Sequence, residues 1–161
     1  MTDREFFLAR RKAELPAFLN VLKALPKDLL DYKPHEKSPT AQQLAWTITQ
    51  ELGAAIELCE TAQTSALTAP APALDVMIAT FEKDYAGLEE SVRKMDDAAW
   101  TRVGQLKSGG KVVMETPVGE FVWYLFFDGI HHRGQLAAYL RPMGGKVPAI
   151  YGPSADTRKQ S

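Results

Sequence analysis

The chain has 161 residues, 45% of them apolar and 24% charged, with 19 basic against 20 acidic side chains and a formal net charge of -1. That length suits one domain over residues 1–161, and the balanced charge gives no electrostatic footprint for nucleic acid or an anionic membrane. A single cysteine, Cys59, excludes an internal disulfide; the opening "MTDREFFLARRK" has no signal-peptide core, and the apolar run 121–127 is too short to span a bilayer, so a soluble, cytoplasmic protein is expected.

Apolar periodicity predicts four helices. The first runs from about Asp3 to Leu25, with Phe7, Phe18, Leu22 and Leu25 on one side and a kink or break at Pro16. After the linker "PKDLLDYKPHEKSP", the second starts near Thr40, where "TAQQ" reads as a capping box of Thr40 with Gln43. Its stripe is Leu44, Ile48, Leu52, Ala55 and Cys59. Pro70 and Pro72 mark a loop, and the third helix carries Leu74, Ile78, Phe81, Tyr85, Leu88, Val92 and Met95. "TRVGQLKSGGKVVME" has β-branched residues on both sides of Gly109-Gly110, which predicts a short hairpin or ordered loop. Thr116-Pro117 then opens the fourth helix, with Thr as cap and Pro at the first helical position. It runs to about Met143 and ends at Gly144-Gly145. The expected fold is all-α, a four-helix bundle.

On a wheel, Val118, Phe121, Val122, Leu125, Gly129, Leu136, Tyr139 and Leu140 form the buried stripe of the fourth helix, and Asp128 and His132 fall inside it. His131 falls towards the polar flank. A carboxylate in apolar surroundings needs a partner, because desolvating it costs several kcal/mol. Residues four apart are neighbours on a helix, so Asp128 and His132 can touch each other or share an ion. Glu51 lies at the edge of the second helix's stripe, one turn beyond Thr47. If the two helices face each other, Glu51, Asp128 and His132 converge as two carboxylates and one imidazole, a donor set suited to a divalent metal. The other readings are a buried hydrogen-bonded Asp–His pair and a solvated Glu51. Arg133 and Arg141 are expected in ion pairs or on helix C-terminal carbonyls, and His35 in a loop.

The string "HHRGQLAAYLRPMGGKVPAIYG" resembles the helix-four signature of the DinB/YfiT-like family, and "LPKDLLDYKPHEKSPTAQQLAW" is similar to that family's approach to helix two. The resemblance implies up-down-down-up topology, a homodimer, and a divalent metal, nickel or zinc, held by three histidines. One comes from helix two and two from helix four, spaced four apart. Relatives include thiol-cofactor-dependent transferases and a maleylpyruvate isomerase. In this chain Thr47 stands where the helix-two histidine would follow "LAW", Asp128 stands at the first helix-four position, and only His132 matches a ligand.

Two functions are therefore expected as alternatives. One is a metal-dependent enzyme acting on a small molecule, by thiol transfer, hydrolysis or isomerisation, with His132, Asp128 and Glu51 as the metal set. The other is a non-catalytic bundle that has lost the metal and binds a small ligand or a partner. Trp46, Trp123 and Tyr124 near the stripe edges add to the expectation of a dimer.

Overall fold

The computed structural model describes residues 1–158. Its first helix is set by a reciprocal cap. The Thr2 hydroxyl accepts from the Glu5 N–H at 3.2 Å, and the Glu5 carboxylate accepts from the Thr2 N–H at 2.8 Å. Helix α1 (Asp3–Lys23) then runs unbroken through Pro16. Of the kink or break expected there, the break does not occur. Proline removes one backbone bond there, and burial of Ala17, Phe18, Val21 and Leu22 just beyond it holds the next turns in place.

A 3-10 turn, Lys27–Leu29, leads to α2 (Ala41–Thr61), which is capped by Thr40 and Gln43 as expected. The remaining elements are β1 (Gln63–Ser65), α3 (Leu74–Lys94), α4 (Asp97–Thr101), β2 (Val103–Ser108), β3 (Lys111–Pro117) and α5 (Val118–Leu140). Helix α2 packs on α3 and α5, and α1 packs on the same two, so α1 and α2 lie on a diagonal although they are consecutive. Most of the core side chains come from these four helices. Near the start of α3 Met77 is fully buried, with Ile78, expected in the stripe, only half-buried beside it.

The expectation of a clean all-α bundle needs correction. Among the described residues, five α-helices are accompanied by a three-stranded sheet of order β1-β2-β3. The hairpin is real: Ser108 pairs with Lys111 across Gly109-Gly110, whose φ values of 56° and 78° are both positive, as a tight two-residue turn requires. Strand β1 adds to β2 in parallel. Helix α4 is a single capped turn, with Asp96 accepting from the Ala99 N–H at 2.7 Å.

The start of α5 also differs from expectation. Thr116 is held in the β ladder opposite Gly104, and Pro117 occupies the cap position without a side-chain cap. The Thr116 hydroxyl instead donates to Glu120 at 2.9 Å. In the first turn of α5, Gly119 lies under the Trp100 indole, where a methyl group would come within 2.3 Å of the ring. The helix ends at Leu140, before Met143, and the Gly145 N–H closes the end on the Leu140 carbonyl at 2.8 Å. No helix among the described residues is long and apolar enough to cross a membrane.

Candidate metal centre

Glu51 comes three residues after Ile48 and four before Ala55, so α2 places it on the buried face towards α5. Opposite it stands Gly129, the one position in that turn of α5 without a side chain. A methyl group on Gly129 would lie 3.3 Å from Glu51 Oε2. The missing side chain is what lets a carboxyl group come so close to α5. The whole Glu51 residue is only 4% exposed, and its Oε2 is buried with no hydrogen-bond partner among the described residues. Burial pushes its pKa up from 4.5 to about 9, and the hydrogen bond and charge of Asp128 push in the same direction.

Asp128 and His132 reach the same point from α5. His132 Nε2 is 3.6 Å from Asp128 Oδ2 and 4.0 Å from Glu51 Oε1. One donor atom from each of the three residues lies within 4.8 Å of the others. The far side of the imidazole is fixed by Gln135, whose Oε1 accepts from His132 Nδ1 at 2.9 Å. With Nδ1 turned to Gln135, it is Nε2 that faces the two carboxyl groups, the nitrogen a metal would use. A tetrahedral ion with bonds of about 2.0–2.2 Å keeps its ligands roughly 3.4 Å apart. The 3.6 Å spacing at His132 is about 0.2 Å beyond that and the 4.0 Å spacing about 0.6 Å beyond it, so the two oxygens and the nitrogen would have to draw in slightly to hold a divalent cation. Beyond Glu51 lies a small cavity of about 20 Å³, walled by Phe18, Phe81, Tyr85, Leu88 and Phe126. It is about the size of one water and is almost wholly apolar.

The structure brings together all three residues singled out in the sequence, with their depths exchanged. Asp128, placed inside the stripe, has a side chain 35% exposed at the rim, whereas Glu51, placed at an edge, is at 5%. Asp128 is on the side of α5 that turns out of the bundle between α2 and solvent, whereas Glu51 points straight across the α2–α5 contact. Thr47 lines a surface depression with Gln43, Trp46 and Gln50. His131 is exposed, as expected, and His35 sits in its loop, accepting from the Lys37 N–H.

Sequence reasoning gave no role to Gln135 or to the Gly129 gap. It also missed a second buried cluster. Arg133, only 2% exposed, donates to Glu14 at 2.6 Å and to the Tyr151 hydroxyl at 2.6 Å, and Tyr151 donates to Glu14 at 2.9 Å. Arg141 pairs with Asp156 at 3.1 Å. The expectation of ion pairs for both arginines holds.

A mostly helical bundle with a small sheet, carrying two carboxyl groups and an imidazole between facing helices, defines a class of scaffold suited to binding within its helices. The chain belongs to the DinB family, whose model matches residues 5–160. It is 25% identical over 156 residues to an uncharacterized protein, YrdA, of Bacillus subtilis, an alignment covering 94% of this chain and 90% of that one. Among solved structures, a DinB-like protein of Bacillus cereus superposes with a TM-score of 0.73 at 21% identity, covering 91% of this chain and 97% of that one. The DinB-like protein YjoA of Bacillus subtilis superposes with a TM-score of 0.66 at 18% identity, over 94% and 98% of the two chains. Both likenesses concern the fold.

Proposed function

We propose that this single-domain protein is a metal-dependent enzyme acting on a small molecule, with Glu51, Asp128 and His132 holding one divalent cation. The observation that carries the reading is the unpartnered, buried Glu51 Oε2 beside two further donors. A buried carboxyl oxygen with nothing to satisfy it is costly, and a cation is one remedy. Nickel and zinc are the ions the family resemblance favours. The bound ion would act as a Lewis acid on a substrate oxygen or sulfur. The chain's own parts have separate tasks: Gln135 orients the imidazole, Gly129 makes room for Glu51, and the apolar wall behind Glu51 keeps bulk water from that side. Asp128 at the rim is the donor a substrate meets first. The same reading makes the protein a cytoplasmic homodimer, since Tyr124, Val103 and Val113 stay exposed and pairing would cover them.

A second reading rests on the raised pKa of Glu51. A carboxyl group with a pKa of about 9 is neutral near pH 7, and its proton can satisfy the cluster in place of an ion. The protein would then be a non-catalytic bundle that binds a small ligand or a partner. Elemental analysis of protein purified without tag or chelator separates the two. The enzyme reading expects close to one nickel or zinc per chain, lost in His132→Gln and kept in His131→Gln. Metal-free protein that also fails to take up added zinc or nickel in calorimetry leaves the second reading.

A further inference from the structure

A separate groove runs between α1 and α5, on another side of α5 from Asp128 and His132. Its volume is about 480 Å³, and its lining includes Phe6, Arg10, Trp123, Phe127 and Ile130. That is the size of a small-molecule site, roughly 300–1,000 Å³. One wall is a run of aromatic rings. Trp123 stacks on Phe127 with centroids 5.3 Å apart and an angle of 23°, and Phe6 lies 5.8 Å from Trp123. Phe6 and Phe127 are 43% and 59% exposed, and with Trp123, which each of them contacts, they form an exposed apolar patch.

The polar groups along the groove are unequal. Asp3 at one end accepts from the indoles of Trp100 at 2.9 Å and Trp123 at 3.1 Å. Glu14 at the other end is occupied by Arg133 and Tyr151. Arg10, between them, approaches Glu14 only at 3.8 Å and makes no hydrogen bond among the described residues. Its guanidinium is half-exposed and only loosely paired with Glu14, so N–H donors remain available in the same groove as the aromatic rings. A guanidinium matches a carboxylate, and the rings match a flat apolar body.

We propose that this groove is a binding site for a planar aromatic carboxylate, distinct from the metal centre. The ring lies against Trp123 and Phe127, and the carboxylate accepts from Arg10. Occupation needs no change at Glu51 or His132, so the proposal stands or falls apart from the metal reading.

The test is a titration of the full chain with 2-naphthoate, followed by the indole N–H resonances of the three tryptophans and by calorimetry. The Trp123 resonance is expected to move, those of Trp46 and Trp100 to move less, and the stoichiometry to be one per chain. Loss of a charge-assisted pair predicts that Arg10→Gln weakens binding about tenfold or more. The neutral 2-naphthamide should bind the parent correspondingly more weakly, and should match naphthoate on Arg10→Gln. Phe127→Ser, a change at an exposed position, should weaken both ligands, and His132→Gln should weaken neither. The proposal is overturned by any of four results: no movement of Trp123 at millimolar naphthoate, equal binding of acid and amide by the parent, loss of binding in His132→Gln, or a sedimenting dimer that Phe127→Ser converts to monomer. The last would assign the groove to a second copy of the chain.

Discussion

Replacing Glu51 with Gln tests the site through stability, without needing an activity. Burial raises the Glu51 pKa from 4.5 to about 9, with Asp128 adding to the effect. A carboxyl group that binds its proton more tightly in the folded state contributes stability that is fully present below the unfolded pKa. That contribution drains away as pH climbs towards the folded value. From pH 6 to pH 8 both limits lie outside the interval, so the folded state holds close to one more proton than the unfolded state throughout. The slope is then about 1.4 kcal/mol per pH unit, or roughly 2.7 kcal/mol over the interval. Glutamine has nearly the same shape and cannot ionise, so the difference in slope between parent and Glu51→Gln separates Glu51 from every other titrating group. Urea unfolding in chelator at pH 6, 7 and 8, with m values compared, gives the slopes. The parent is expected to lose about 2–3 kcal/mol more than the variant across the range. Parallel profiles would mean that Glu51 is ionised in the folded protein, and the reasoning from burial would be wrong. Added zinc should flatten the parent's slope, because the ion binds the deprotonated carboxylate.

Three further outcomes follow from the geometry. Asp128→Asn and His132→Gln should be non-additive in a double-mutant cycle, since the two groups are 3.6 Å apart; with Asp128 at the rim, a coupling nearer about 1 kcal/mol than the 3–5 of a fully buried pair is expected in chelator. His131→Gln should leave metal uptake unchanged where His132→Gln abolishes it, and equal losses would remove the assignment of His132 as the inward imidazole. Gly119→Ala should destabilise by about 1–3 kcal/mol in chemical unfolding and perturb Trp100 fluorescence, because the new methyl meets the indole at 2.3 Å; an unchanged midpoint would place Trp100 elsewhere.

Where the sequence was legible, one periodic signal dominated. The stripes of α2, α3 and α5 repeat every three or four residues, and the Thr40 cap was legible ahead of its stripe, whereas the Thr2 cap, which obeys the same local rule, precedes no obvious stripe and was not read. The Gly109-Gly110 turn was legible because glycine pairs tolerate the positive φ both positions adopt. β1 was not, since "QTS" has no alternation to read and owes its strand to β2 alongside. α4 is too short for a period. At the site, the three donors could be named from their spacing, but their depths could not. A wheel gives an angle around one helix, and burial depends on what the neighbouring helix lacks. Gly129 decides it: the absent side chain on α5 opens the space that Glu51 fills. The burial of Arg133 and the identity of its partners escaped for a related reason. Its partners Glu14 and Tyr151 lie 119 and 18 residues away, on α1 and in the C-terminal segment, beyond any local pattern.

The exchange of donors has a consequence for any ion at this site. Three neutral histidines give up a cation-binding lone pair without first losing a proton, but Glu51 does not. With a pKa of about 9, it holds its proton near neutral pH, and an ion must displace it. At pH 7 that competition lowers the apparent affinity about a hundredfold, since each pH unit below the pKa is a factor of ten. Against this stands charge. A dication held by two carboxylates and a neutral imidazole carries no net charge, whereas three imidazoles leave both positive charges in place. A neutral assembly is the easier one to bury beside the aromatic cavity wall. The two effects oppose each other and scale differently with pH: proton competition fades as pH rises, and the charge balance does not. Under the metal reading, the departure from three histidines therefore turns a site that would load across the neutral range into one that loads on the alkaline side. The same two carboxylates, with the proton retained, make the metal-free state tolerable on the acid side.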